Sequence, residues 1–397
     1  MISEVDRCVS RLRNQNKKDF GQAVSLSIRN RIGEDMATVY TCPGCEAPLR
    51  FDAAKGKMVC DYCGSEFTVE EAKAAEMGKE SDTEAEMYQN EEGEYVDIST
   101  ASQTDKMAIY THLCPTCGAE LMGDQHTAAT FCAFCGNPTL NEAVLTEALK
   151  PSKVLPFKKT KEEAKAAFLA WGKKGFLTPK NFTSESTVDK ITGIYVPFWL
   201  YDCEARCDYK ANAEKTHTEY HGSYDTEITE HYKVRRKVKV QYDSVPADAS
   251  EKMDDSLMDR LEPFNYAELV PFDMAYLSGF LAEKYNYTDK EMRDRVEKRI
   301  AEYVETAAVD TIKGYDSKKK TGADKQITWK NVSYVMLPVW ILNYKYNGQN
   351  YEFAMNGQTG RVVGSRPVDK VRKWIMGGIA FVITFIVAFL IGLLLIP

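Results

Sequence analysis

Eight of the eleven cysteines in this 397-residue chain fall into two copies of one spacing pattern. The first copy runs Cys42-x2-Cys45-x14-Cys60-x2-Cys63, and the second, 72 positions later, runs Cys114-x2-Cys117-x14-Cys132-x2-Cys135. Two tight pairs of soft thiolates are the usual ligand set of a closed, tetrahedral zinc site. The pattern therefore predicts two zinc ions held by these eight cysteines, one in each of two tandem zinc ribbons. Iron bound in the rubredoxin manner is the alternative, because it uses the same paired turns.

The closed form of these predicted sites limits what they can do. Four protein ligands leave no open coordination position for a substrate, so catalysis at the metal is not expected. Small ribbons cannot bury enough apolar surface on their own, so the metal is expected to stabilise the fold. What remains for function is the ribbon surface, which we expect to dock a protein or a nucleic acid.

The C-terminal end of the chain is the second strong feature. No charged residue occurs from Trp374 to Ile396. As a helix, the last 22 of these residues span about 33 Å, against a hydrocarbon core of about 30 Å. Lys370, Arg372 and Lys373 precede the segment, and positive charge stays in the cytoplasm. We therefore expect a single-pass protein of the cell membrane with a C-terminal anchor and a cytoplasmic N-terminal region. A buried core helix is the alternative.

Bulk charge and cysteine use fit this placement. The formal net charge is -7, and each four-thiolate zinc site adds about -2. This balance opposes nucleic-acid binding by the whole surface but allows a local basic patch. Zinc thiolates fit a reducing cytosol, and residues 1–20 lack the apolar core of a signal peptide.

The sequence indicates a multi-domain protein. Two small β-rich zinc ribbons are followed by an α+β region of two related helix-plus-antiparallel-sheet units and then by one transmembrane α-helix. The expected segments are an N-terminal appendage (1–38), ribbon 1 (39–75), an acidic linker (76–107), ribbon 2 (108–140), α+β unit 1 (150–243), a connecting segment (244–287), α+β unit 2 (288–368) and the transmembrane helix (374–396).

A weaker repeat supports the two α+β units. The run Ile194-Tyr-Val-Pro-Phe-Trp-Leu-Tyr-Asp202 aligns with Val335-Met-Leu-Pro-Val-Trp-Ile-Leu-Asn343, at an offset of 141 positions. A helical segment that opens with a capping box precedes each copy, at Thr160 and at Thr288. An Asn347-Gly348 pair then predicts a hairpin turn in the second unit.

Two further constellations were weighed against simpler interpretations. Cys203-x3-Cys207-x9-His217-x3-His221 has the letters of a third metal site. However, residues four apart in a strand are about 13 Å apart and cannot both reach one ion. We therefore expect two half-buried cysteines and two loop histidines there.

A basic strand is the other constellation. Lys233, Arg235, Lys237 and Lys239 alternate with valines, which places them on one strand face. A solvated sheet face is the favoured interpretation. Contact with anionic lipid is the alternative, ahead of nucleic acid, because the anchor holds the chain near an acidic leaflet.

Signatures of catalysis are absent from the sequence. It contains no phosphate-binding G-x-x-x-x-G-K-[ST] loop, no G-x-G-x-x-G fingerprint and no G-x-S-x-G elbow. Five scattered histidines offer no credible catalytic pairing. We therefore expect a protein that is not an enzyme.

Taken together, these residues resemble a group of bacterial membrane proteins with two N-terminal TFIIB-type zinc ribbons. The likeness rests on V-P-F-W-L-Y-D at Val196–Asp202, on the motif-rich stretch Leu337–Gly364 and on the C-terminal span. It covers about residues 39–397. Such proteins are often labelled as the primosomal replication-restart helicase on the ribbons alone, but this chain has no helicase motor. One similar member acts beside a phage-shock-protein-A homologue in envelope stress and helps hold that protein at the membrane.

The resemblance implies an adaptor. We expect a membrane-anchored protein that recruits a cytosolic protein partner through its ribbons and its α+β region. A nucleic-acid-binding ribbon protein tethered to the membrane, related to replication or transcription, is the alternative. A thiol redox protein without metal is a third.

Overall fold

The computed structural model describes residues 40–80, 106–123, 132–137, 140, 144–175, 177–222 and 224–395. The predicted N-terminal appendage lies outside the described residues, as does most of the predicted acidic linker. The first helix, α1, covers Val69–Glu80 and so continues into the first residues of that linker.

The elements follow one another in a mixed α and β order. The other helices are α2 (Lys161–Lys173), α3 (Glu185–Val188), α4 (Asp255–Leu261), α5 (Asp289–Asp310) and α6 (Lys370–Leu395). The strands are β1 (Leu49–Asp52), β2 (Lys57–Cys60), β3 (Glu66–Phe67), β4 (Lys106–Leu113), β5 (Glu120–Gly123), β6 (Val144–Leu149), β7 (Lys153–Val154), β8 (Thr192–Tyr220), β9 (Asp225–Asp248), β10 (Val270–Pro271), β11 (Leu281–Glu283), β12 (Ser317–Tyr346), β13 (Gln349–Asn356) and β14 (Val362–Gly364).

The first cysteine-rich region has its own small sheet. Strands β1, β2 and β3 pair antiparallel in that order, and α1 follows them. At the start of α1 the backbone N–H of Thr68 donates to the Glu71 carboxylate, and the Glu71 N–H donates back to the Thr68 hydroxyl. These two bonds form a capping box, which satisfies two N–H groups at the helix start.

The second cysteine-rich region belongs to a large sheet instead. Eleven strands form this sheet, in the path β10-β7-β12-β8-β11-β5-β4-β6, with β13, β14 and β9 attached beside it. Strands β4 and β5, which carry the second cysteine group, therefore continue into the β-rich middle of the chain. The structure thus has small cysteine-rich regions, a large β-rich middle and an apolar C-terminal helix.

Strands β8 and β12 form the centre of the sheet. They run antiparallel, and Val196 lies opposite Leu337. Residues from Ile194 to Tyr201 are buried whichever face they point to, because separate core clusters cover the two faces of the sheet. Such double burial explains the unbroken apolar run there, since a strand covered on both faces need not alternate.

Beyond this centre three strands continue as a long extension of the sheet, in the order β9-β8-β12. Helix α5 packs across one face of this extension, over Ala205, Cys207 and Tyr209. The other face carries charged side chains, which follows from the period of two in a strand.

Two tryptophans of the β-rich middle make matching contacts. The Trp199 indole N–H donates to the Tyr287 carbonyl at 2.8 Å, and the Trp340 indole N–H donates to the Lys159 carbonyl at 3.0 Å. Each acceptor immediately precedes the N-cap threonine of a helix, Thr288 for α5 and Thr160 for α2. Each tryptophan therefore fixes the start of one helix.

Helix α6 stands apart from this packing. Among the described helices, it alone is long and apolar enough to cross a membrane, over Lys370–Phe389, and none of that stretch is buried. A core helix would be covered by the protein, so the buried-helix alternative does not describe it. Its length and composition fit a single membrane span.

Candidate metal centres

The structure gathers the first four cysteines into one group. Their sulfur atoms all lie within 4.8 Å of one another. Cys42 Sγ lies 3.6 Å from Cys63 Sγ, and Cys45 Sγ lies 3.5 Å from Cys60 Sγ. Cys42 and Cys60 are buried, whereas Cys45 and Cys63 are exposed.

The second group repeats this geometry. Cys114 Sγ and Cys135 Sγ are 3.6 Å apart, as are Cys117 Sγ and Cys132 Sγ. All eight predicted ligands are thus brought together in two sets of four, and these are free thiols rather than disulfides. Each CxxC pair and its turn form a knuckle. In both sets the close sulfur pairs join a cysteine of one knuckle to a cysteine of the other, as a shared ion requires.

The spacing of the sulfurs fits a tetrahedral metal ion. Zinc–sulfur bonds of about 2.3 Å place tetrahedral ligands about 3.8 Å apart. The observed separations of 3.5 to 3.6 Å are close to this value and far above the roughly 2.05 Å of a disulfide bond. The two groups can therefore each hold one metal ion, and four sulfur ligands suit zinc.

The backbone of each knuckle is shaped by the residue after its second cysteine. In three of the four knuckles this residue is a glycine with positive φ, at Gly64, Gly118 and Gly136. In the fourth it is Glu46, with φ of 58°. The left-handed conformation is easy for glycine and costly for a residue with a side chain.

Backbone and side-chain donors surround the sulfurs. Hydrogen bonding with the Ser65 side chain and backbone lowers the pKa of Cys63 to about 6. In the second group, burial raises the pKa of Cys132. A bound dication would reverse that effect, since the metal holds the thiolate form.

Ribbon 1 is fixed to the rest of the chain by contacts that the sequence did not indicate. The Ser278 hydroxyl donates to the Leu49 carbonyl at 2.7 Å, and the Phe51 N–H donates to the Ser278 carbonyl at 3.1 Å. Asp273 accepts the Tyr40 hydroxyl at 2.6 Å and pairs with Lys73 at 3.1 Å. These partners lie 200 or more positions away in sequence, and no local pattern marks them.

Ribbon 2 is held by its sheet. Strand β5 pairs with β11, where Met122 lies opposite Ala282, and Ala282 also lies opposite Tyr195 in β8. The Asn343 side-chain amide donates to the Ala133 carbonyl, inside the knuckle, at 3.1 Å. The second metal group is therefore integrated into the body, and the first is attached to its surface.

The third candidate site does not assemble. Cys203, Cys207 and His217 lie along β8, with His221 directly after it, and the metal-ligand groups found among the described residues include none of them. The cysteines are buried, and burial raises the pKa of Cys203 to about 11. Cys203 and Cys207 are fully buried rather than half-buried, and His217 lies in the strand rather than in the predicted loop.

The basic strand is largely paired with acidic neighbours. Lys239 lies 2.8 Å from Glu204, and Arg235 and Lys237 both pair with Asp208. Lys233 shows no ion pair within the described part of the chain. Most of the positive charge on this strand is thus balanced on the same sheet face.

A buried acidic cluster was missed by the sequence interpretation. Asp248 and Glu283 are each only 1% exposed, and one carboxylate oxygen of each has no hydrogen-bond partner within the described residues. Asp248 pairs with Arg295 at 3.0 Å, and Glu283 accepts the Ser250 hydroxyl at 2.8 Å. Burial raises the pKa of Asp248 to about 7 and that of Glu283 to about 8.

These features define a class of protein with two four-cysteine metal groups, a β-rich body and one apolar C-terminal helix suited to a membrane. The chain belongs to the family of a Bacillus subtilis (strain 168) protein named "Uncharacterized protein YdjG". The two are 39% identical over 347 residues, which cover 86% of this chain and 94% of that relative. No family model matches the sequence, and no solved structure matches it.

Proposed function

We propose that this protein is a zinc-binding membrane adaptor. Its ribbons and α+β body recruit a cytosolic protein partner to the membrane, and the protein has no catalytic activity of its own. The anchor is the C-terminal helix α6, and the body faces the cytoplasm. We propose that this recruitment serves the response to envelope stress, and the sequence resemblance is what supports this part of the proposal.

The observation that carries the proposal is the combination of closed metal groups with an unburied apolar helix. Four sulfurs at tetrahedral spacing leave no position for a substrate, so the metal supports a surface. Helix α6 contacts a bilayer because nothing in the described chain covers Lys370–Phe389. A folded surface held at a membrane is what a recruiting protein needs.

The internal repeat is part of the proposal. Duplication of one unit accounts for the matched tryptophan contacts. It also accounts for two matched parallel pairings, of β7 with β12 and of β11 with β8. Each half therefore contributes a strand to the sheet of the other, and the two units form one rigid platform.

The deciding experiment is a crosslinked pull-down of the full chain from detergent-solubilised membranes, with and without nuclease. The proposal expects a stoichiometric protein partner that survives nuclease and that is lost with the Cys60→Ser variant. Loss of every partner on nuclease treatment would overturn it in favour of nucleic-acid binding. Deletion of residues 370–397 should release the chain from the membrane and leave two zinc ions bound.

Hydrolytic turnover is tested separately. Purified full chain loaded with zinc should hydrolyse no generic ester, phosphate or peptide substrate above the level of the Cys60→Ser and Cys132→Ser variants. Metal-dependent turnover would contradict the non-catalytic role.

A further inference from the structure

The start of α6 is tied to the segment that follows α2. The Asp369 N–H donates to the Leu177 carbonyl at 2.9 Å, and Arg372 Nη1 donates to the Thr178 carbonyl at 2.8 Å. The Arg366 guanidinium lies over the Trp171 ring, 4.6 Å from its centroid. The segment that follows α2 is therefore fixed beside the point where the apolar helix begins.

Basic residues from distant parts of the sequence lie on the two elements that these contacts join. Lys173 and Lys174 lie at the C-terminal end of α2, and Lys370 and Lys373 lie in the first turn of α6. All four side chains are exposed. Within the described chain, none of them forms an ion pair.

The carboxylate that precedes Lys370 in sequence is already engaged. Asp369 accepts hydrogen bonds from the Val371 and Arg372 backbone N–H groups and lies 3.9 Å from Arg372 Nε. It therefore offers little compensation to the four lysines. The β9 lysines differ, because Lys237 and Lys239 have carboxylate partners on their own sheet face.

We propose that Lys173, Lys174, Lys370 and Lys373, the basal lysine cluster, bind the phosphate groups of anionic phospholipids. A membrane span places its first turn at headgroup level, and the hydrogen bonds to Leu177 and Thr178 hold the end of α2 near the same level. Trp374, 81% exposed, lies where an interfacial anchor belongs. Unpaired lysines at this depth are attracted to the negative surface of the leaflet.

The consequence is a fixed orientation of the body. A single span leaves the protein free to tilt and rotate over the bilayer. Lysines on both α2 and α6 supply contacts on two elements, so that the body is held against the leaflet. This inference rests on the proposed membrane attachment of α6, but it does not depend on the identity of a protein partner.

The test uses the full chain in a zwitterionic detergent, titrated with short-chain phosphatidylglycerol or short-chain phosphatidylcholine. The midpoint of thermal unfolding should rise saturably with phosphatidylglycerol only. The double variant Lys173→Ala/Lys174→Ala should weaken the apparent affinity about tenfold, and Lys173→Arg/Lys174→Arg should retain it. The matched control Lys237→Ala/Lys239→Ala, on β9, should remain within twofold of the parent.

Three results would overturn the inference. These are equal stabilisation by phosphatidylcholine, equal stabilisation by inorganic phosphate at matched ionic strength, and an unchanged affinity in the α2 alanine variant. The second result would indicate a small-anion site rather than a lipid surface. Alkaline extraction of membranes reports separately whether α6 is embedded, so failure of the membrane attachment is distinguishable from failure of the lipid contact.

Discussion

At the scale of single residues, the knuckle turns show how backbone geometry supports the metal groups. Gly64, Gly118 and Gly136 adopt positive φ at the end of their knuckles, and Glu46 takes the same role in the fourth. The Glu46 N–H donates to the Cys42 carbonyl at 2.8 Å, as the Gly64 N–H does to Cys60 at 2.9 Å. The turn is the same, but Glu46 adopts it at a steric cost.

Replacing this residue should stabilise ribbon 1. Glu46→Gly removes the strain of a left-handed side-chain residue and should raise the stability of the ribbon by about 1 kcal/mol. The measurement is the rate of zinc transfer from the full chain to a competing chelator, which should slow for one of two zinc ions. Glu46→Ala keeps the strain and serves as the control, and faster release from the glycine variant would contradict the argument.

The buried carboxylate of Glu283 should make stability depend on pH. Its folded pKa is about 8, raised by burial despite the hydrogen bond from Ser250, against an ordinary value near 4.3 in the unfolded chain. The folded state therefore binds more protons between these values, and stability falls as pH rises from about 5 to 8. At pH 7 the cost is on the order of 3 kcal/mol.

The Glu283→Gln variant should remove much of this dependence. The neutral amide oxygen can still accept the Ser250 hydroxyl, so the variant should be more stable than the parent at pH 8 and similar to it at pH 5. Thermal unfolding of the full chain across this range provides the measurement. Glu297→Gln, at an exposed position of α5, is the control. A parent and variant with parallel pH profiles would show that Glu283 is not the titrating group.

At the scale of elements, the two ribbons have the same cysteine geometry in different surroundings. Ribbon 1 forms a separate three-stranded sheet, whereas ribbon 2 supplies strands to the large sheet through the pairing of β5 with β11. Metal binding contributes on the order of 10 kcal/mol to the folding of such a unit. Loss of the metal ion should therefore destabilise different amounts of the structure in the two ribbons.

We expect Cys60→Ser to unfold ribbon 1 and leave the body close to its parent stability. Cys132→Ser should also lower the stability of the body, because the edge of β11 loses its partner. Each variant should retain one zinc ion per chain by elemental analysis and remain membrane-bound. Hydrogen exchange at Ala282 and Tyr195 distinguishes the two variants. Equal protection there in both variants would contradict the integrated role of ribbon 2, and two retained zinc ions would contradict the ligand assignment.

At the scale of the whole molecule, the α+β region is interlocked. Strand β7 precedes α2 but pairs with β12, and β11 precedes α5 but pairs with β8. Each tryptophan reaches across in the same way to the start of the other helix. Neither half can detach without exposing strand edges and carbonyl groups.

This interlocking predicts similar effects for two distant substitutions. Trp199→Phe and Trp340→Phe should each cost about 1–3 kcal/mol, because a carbonyl at a helix start loses its donor. Both should unfold the α+β body in one cooperative transition, as monitored by calorimetry of the full chain. Trp374→Phe, at an exposed position on α6, should leave that transition unchanged. Separate transitions for the two halves would contradict a single interlocked body.

The sequence by itself determined the features that depend on neighbouring residues. The cysteine spacing predicts the two metal groups because a knuckle is closed by a few consecutive residues, such as Cys60 to Gly64. The length and apolarity of the last segment predict α6, and Thr160 and Thr288 predict helix starts, because capping acts within one turn. Each of these features requires only local chemistry.

The way these pieces are joined depends on the tertiary structure. It places Ser278 against Leu49, buries Asp248 and Glu283 in the body, and joins Asp369 to Leu177. It also brings the Trp199 indole N–H to the Tyr287 carbonyl, just before α5. These pairings join residues about 30 to more than 200 positions apart. They depend on strand order and on shared burial, which no local period in the sequence records.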